Sequence, residues 1–151
     1  MKQYDIKEIA NWFLSKASMP HKKLQKLCYY SEAWHQALYN SALIKDHYFE
    51  AWIHGPVSPF LYQEFKNYGW ENIPKCNKKQ KINAETVEFL EIVYNTYGEL
   101  SGHQLENLTH KEKPWKEARK GLNECEASHE RINPETMRSY YHSLYEKSQN
   151  D

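Results

Sequence analysis

The sequence predicts a mainly α fold, a compact single-domain helical bundle broken by one short β-like or irregular segment near residues 43–57. Three observations predict it. Apolar side chains recur at three- and four-residue intervals through most of the chain. Residues with N-capping chemistry stand just ahead of those stretches. A chain of 151 residues is the size of one domain that can bury a helical core without disulfides or metals.

Taken in order, Asp5 and Glu8 have the spacing of a capping box, and Ile6, Ile9, Ala10, Phe13 and Leu14 follow at helical intervals, giving a first helix to about Lys16. Ser18 is placed to cap a second helix that Pro20 enters near its first turn, with Leu24, Leu27, Cys28, Ser31, Trp34 and Leu38 as its buried stripe. The period changes between Leu43 and Ile53, where Phe49–Ile53 reads as extended before Gly55-Pro56 and Pro59 stop it. Ser58 and Pro59 then open a short helix that gathers Leu61, Phe65 and Tyr68 ahead of Gly69.

From Gly69 to Ile82 no apolar period is sustained, and Pro74 with Lys75, Lys78, Lys79 and Lys81 indicates a surface loop. Asn83 caps the next helix, which carries Val87, Leu90, Tyr94 and Tyr97 and ends at Gly98. Ser101 with Gln104 is a capping box for a brief helix, and Thr109 with Glu112 repeats that spacing ahead of Pro114 and Trp115. Asn133-Pro134-Glu135 starts the last helix, striped by Met137, Tyr140 or Tyr141, Leu144 and Tyr145. One domain is expected over residues 5–147, with 148–151 as a frayed tail.

Charge nominates no partner: Lys plus Arg and Asp plus Glu both total 20, so no long-range field favours nucleic acid or an anionic membrane. The three cysteines, Cys28, Cys76 and Cys125, are odd in number and lack CxxC spacing, which points to a reducing compartment. Charges interrupt the N-terminal residues, and no apolar run approaches a membrane span, so a soluble, cytoplasmic protein is expected. The 12 Tyr and 5 Trp are the unusual feature, because such side chains suit both cores and interfaces.

No complete catalytic or metal-binding set is legible. The eight histidines show neither HxH nor HExxH spacing, and GxGxxG, GxxxxGK and GxSxG are missing. Cys28 lies on an apolar stripe and reads as an inert core thiol. The expectation is a protein that is not an enzyme and takes no cofactor or metal. A hydrolase or nucleotide enzyme would instead require a pocket of titratable groups within hydrogen-bonding reach of one another.

Residues 99–120 have the cadence of a helix-turn-helix, with Lys111, Lys113, Lys116, Arg119 and Lys120 on the second helix. That segment carries the alternative function, a DNA-binding transcriptional regulator, against the plainer reading of a helical hairpin with solvated charges. The densest unusual stretch is Ala51-Trp52-Ile53-His54-Gly55-Pro56-Val57-Ser58-Pro59. Its Gly and two prolines leave little freedom to lose on binding, so it reads either as a rigid binding edge or as a chain reversal with Trp52 filling the core.

The blocks Lys23-Leu24-Gln25-Lys26-Leu27-Cys28-Tyr29-Tyr30 to Trp34, Ala51-Trp52 with His54-Gly55-Pro56-Val57 and Leu61-Tyr62, and Thr109-His110 with Pro114-Trp115 resemble, in order and spacing, the SocA-like or Panacea antitoxin family. With Ile132 to Tyr141 resembling its closing helix, the likeness covers roughly residues 5 to 145. The resemblance implies a helical, phage-associated type of antitoxin, encoded beside a toxin and neutralising it by direct protein contact. In one branch it implies an adaptor that delivers the toxin to an AAA+ protease. The toxin's identity does not follow, since members pair with unrelated toxins. Lys26, Tyr30, Trp52, His54, Gly55, Pro56, Tyr62, Thr109, His110 and Trp115 match motif positions and are the partner-binding candidates that the resemblance implies. Each also has a structural role open to it: Tyr30 and Trp52 in packing, Thr109 as a cap, Gly55 and Pro56 as the turn.

Overall fold

The computed structural model describes residues 2–150. Among them it forms seven α-helices and two small two-stranded antiparallel sheets. Helix α1 (Ile6–Lys16) begins with the expected Asp5/Glu8 capping box. Strand β1 (Met19–Pro20) follows and leads directly into α2 (His21–Tyr39), so Pro20, not Ser18, occupies the position before that helix. The Ser18 hydroxyl donates instead to Ile73 O at 2.6 Å. Ile73 belongs to β4 (Asn72–Ile73), which pairs with β1 inside the stretch expected to be only loop.

Helix α2 is the axis of the molecule, packed by α1, by α3 (Pro59–Phe65), α4 (Ala84–Tyr97), α5 (Gly102–His110) and α7 (Pro134–Asn150), and by the hairpin strand β3 (Gly55–Val57). It is therefore buried nearly all round rather than along one stripe, and Leu38, expected inside, is 39% exposed near its end. Gln25 and Glu32 tolerate this because each is hydrogen-bonded to the backbone of a neighbouring segment. Gln25 donates to Ser58 O at 3.1 Å and accepts from Ser58 N at 2.8 Å. Glu32 accepts from Leu43 N and Ile44 N at 3.0 and 2.8 Å and from the Gln36 amide, tying the crossing segment to the helix.

The irregular segment resolves into a β-hairpin, β2 (Glu50–Trp52) against β3, turning through Ile53 and His54. The outer edge of β2 is covered by residues 130–132, with Ala51 N donating to Glu130 O and Ile132 N to Phe49 O. Ser58 caps α3 as expected, accepting from Leu61 N, and a short 3-10 turn (Lys66–Tyr68) carries the chain to Gly69. Asn83 caps α4, and the Ser101/Gln104 box caps α5. Thr109 does not cap the next helix, α6 (Lys113–Ala118): it sits in the last turn of α5, its hydroxyl donating to Glu106 O, and Glu112 takes the capping position. Of the tail expected to fray, residues 148–150 continue α7, and Asp151 lies outside the described residues. Among the described residues no helix is long and apolar enough to cross a membrane.

Candidate functional site

The sequence alternates helix-starting and turn-forming residues around 20 and 55, and this brings two chain reversals together. The first turns of α2, the β2–β3 hairpin, α3 and the residues after the 3-10 turn enclose a cleft of about 310 Å³. His21, Lys22, Gln25 and Lys26 line it from α2, Trp52, His54 and Val57 from the hairpin, and Tyr62, Lys66 and Trp70 from α3 and beyond.

Its geometry is set by a close approach. Gly55 has φ +110°, and a Cβ there would lie 2.5 Å from Lys26 Cε and 3.0 Å from Thr109 Oγ1, so both backbone angle and space require glycine. Lys26 thus runs beneath the hairpin, 1% exposed, with Nζ donating to Pro56 O at 3.4 Å. Burial holds its ammonium well below the ordinary lysine range, at about 7, with Glu106 opposing that shift and Lys22 adding to it.

The hairpin is clamped from behind by α6. Trp115 Nε1 donates to Trp52 O at 2.8 Å, and Arg119 Nη1 donates to Ala51 O at 2.9 Å. The His110 imidazole stacks on Trp115 with centroids 3.9 Å apart. Burial lowers its pKa, against the raising influence of Glu106 and the Ile53 backbone. On the cleft side Trp52 packs edge-on against Tyr62, centroids 4.9 Å apart, and its Nε1 donates to Glu50 Oε1 at 2.8 Å. His21 lies parallel to Tyr62, and burial followed by the charge of Lys26 depresses its pKa to about 4, keeping it neutral at pH 7.

At the mouth, Glu106 on α5 receives Lys22 on one carboxylate oxygen and His54 Nδ1 on the other, the latter at 3.1 Å. Burial would raise that carboxyl, but hydrogen bonds from Lys22 and His54, with their charges, hold it below the usual range. Trp70 overhangs this triad, 76% exposed, edge-on to His54 and under the Lys22 ammonium at 5.5 Å.

The ten candidate residues therefore divide. Trp52, His54, Tyr62 and Lys26 line the cleft. Gly55, Pro56, Thr109, His110 and Trp115 build the wall behind it. Tyr30 lies in the core, its hydroxyl on Glu112 Oε1 at 2.7 Å and its ring stacked on Tyr97 at 4.0 Å. Lys22, Trp70 and Glu106 join the site without having been singled out in the sequence. Lys22 is one helical turn before Lys26, a spacing that could have flagged it; Glu106 is reached only through the tertiary fold.

The segment behind the DNA-binding alternative is also changed by the geometry. Helix α6 is six residues long, Pro114 and Trp115 are buried, and Arg119 spends its guanidinium on Ala51 O, Asn123 O and Glu126 O. Its basic residues are thus split between an interior brace and scattered exposed lysines.

A family model described as antitoxin SocA-like, Panacea domain, matches residues 24–116. That span begins inside α2 and ends inside α6, so it contains the hairpin, α3, Trp70, Glu106 and the Trp115 half of the clamp, and leaves α1, α7, Lys22 and Arg119 outside. No curated protein and no solved structure matches the chain.

Proposed function

Because the chain belongs to the SocA-like antitoxin family defined by the Panacea domain, we propose that it neutralises a partner toxin by direct contact, seating part of it at the cleft between the β2–β3 hairpin, the start of α2 and Trp70. It acts in this reading by binding and not by catalysis. The carrying observation is that most of an aromatic and cationic cleft falls in the matched span and stands on a braced frame, in which Gly55 is packed onto Lys26 and Trp115 and Arg119 hold the hairpin's backbone. Such a frame limits the ordering cost that a partner must meet. A lasting inhibitory complex buries about 1,600 Å² in total, so the interface extends past the cleft.

Other features support binding over chemistry. Burial pushes the Cys28 thiol far above its usual range, which keeps it from acting as a nucleophile. The three cysteines are free thiols, the state that the cytoplasm maintains, and we place the complex there.

Co-expression with the protein encoded by the adjacent reading frame tests the proposal. That protein is expected to arrest growth when produced alone, to be harmless with this chain present, and to copurify with it. A neighbour that is harmless alone and does not copurify contradicts the reading. Following the toxin's half-life after synthesis is stopped, with and without this chain, tests the adaptor role: faster loss in the complex supports delivery to an AAA+ protease, and unchanged loss leaves inhibition by occupancy.

A further inference from the structure

We propose that the cleft receives a carboxylate of the bound toxin, carried on an acidic side chain beside an apolar or aromatic one; this deepens the antitoxin reading above and rests on it. The lining is cationic: Lys22, Lys26 and Lys66 contribute to it, and among the described residues Lys22 is the one of the three held in an ion pair, with Glu106. Glu106, at the mouth, has both carboxylate oxygens committed to Lys22 and His54.

Lys26 is the telling group. An ammonium carries three donors, yet among the described residues the hydrogen bond it makes is the 3.4 Å contact to Pro56 O. The side chain is almost wholly buried, and that burial holds its pKa at about 7, with the charged form short of acceptors within the protein. A carboxylate entering the cleft would supply a charged acceptor at the place where the protein leaves one wanting.

The walls specify what accompanies that carboxylate. Trp52 and Tyr62 stand edge-on to one another inside, and Trp70 overhangs the mouth, giving apolar faces beside the cations. A volume of about 310 Å³ lies at the lower end of ligand pockets, which span roughly 300–1,000 Å³. It fits an anchoring pair of side chains on a protein surface. The exposed Lys66 ammonium at the rim adds long-range attraction to an acidic surface.

The test uses the copurified toxin and three versions of this chain: wild type, Lys26→Met and Lys66→Glu. Lys26→Met is expected to fold with an unfolding midpoint at or above that of wild type, because an apolar chain of similar length replaces a buried charge. It is also expected to bind the toxin about tenfold or more weakly, as a buried charged pairing is lost. Lys66→Glu is expected to slow association at low ionic strength, with the difference shrinking as salt is added. Wild-type affinity in a folded Lys26→Met chain overturns the inference and leaves the antitoxin reading standing. If Lys26→Met does not fold, an unchanged association rate for Lys66→Glu at low salt overturns it instead. Failure of the wild-type chain to bind the toxin takes down both. Adenosine monophosphate that binds wild type but not Lys26→Met, without displacing the toxin, would identify a small-anion site and overturn the assignment.

Discussion

Replacing Glu112 with alanine is expected to lower the unfolding free energy by about 3 kcal/mol or more, measured by urea titration, because two buried hydroxyls lose one acceptor. Tyr30 and Tyr141 both donate to Glu112 Oε1, at 2.7 and 2.8 Å, and the Tyr29 hydroxyl lies 3.1 Å from that of Tyr141. Each buried polar group left unsatisfied costs about 1–3 kcal/mol. The loss reaches across the fold, since Tyr29 and Tyr30 are on α2, Tyr141 is on α7, and Glu112 joins α5 to α6. Tyr97 continues the network by stacking on Tyr30 and accepting from Trp34 Nε1 at 2.7 Å.

Glutamine at 112 separates hydrogen bonding from charge. Burial pushes the Glu112 carboxyl up from 4.5 to about 7, against the lowering effect of the Tyr30 and Tyr141 hydrogen bonds. The folded protein therefore holds this proton more tightly than the unfolded chain does. The resulting stabilisation is complete below about 4.5 and is lost as pH rises through about 7. Glu112→Gln, neutral throughout, is expected to flatten part of that decline. Glu32, shifted up to about 7 chiefly by burial, retains its own share in the variant. An undiminished fall between pH 4.5 and 8 would show that Glu112 does not titrate as its surroundings imply.

The second large effect is on binding. Trp70→Ala is expected to change stability by no more than about 0.5 kcal/mol, since the ring is 76% exposed and rests against Lys22 and His54 at the rim of the cleft. Affinity for the toxin, measured by calorimetry, is expected to drop by about 2 kcal/mol, roughly 30-fold, the behaviour of an aromatic anchor at the centre of an interface. Equal affinities for the two proteins would move the contact away from this cleft.

Local chemistry was legible in the sequence wherever a few neighbouring residues decide the structure. The Asp5/Glu8 and Ser101/Gln104 boxes and the Asn83 and Ser58 caps all depend on such residues, and all form, whereas Gly55-Pro56, expected to be the turn, lies in β3 and the chain reverses at Ile53 and His54. Thr109 and Glu112 share the same spacing and fail as a box because α5 continues through Thr109, whose hydroxyl bonds Glu106 O one turn back, and the Glu112 carboxyl is drawn into the tyrosines. The β1–β4 pair was invisible for a different reason, since two-residue strands carry no period.

Burial all round α2 was also beyond a stripe-based reading. Gln25, Lys26 and Glu32 look like an exposed face until Ser58, Gly55 and the residue 43–44 amides arrive from elsewhere in the chain. The candidate site was accordingly half legible. The motif residues locate the hairpin and its clamp, whereas Lys22, Glu106 and Trp70, which form the mouth, come from segments that only the fold brings together.

Hydrogen–deuterium exchange of the chain alone and in its copurified toxin complex tests most directly whether the cleft is where the toxin is held. New protection is expected in the hairpin turn and in the segment from Lys66 to Trp70 that frames the cleft with it. Protection confined to the groove on the far part of α2 and α4, lined by Tyr39, Phe89 and Ile92, with the hairpin and Trp70 unchanged, would contradict it.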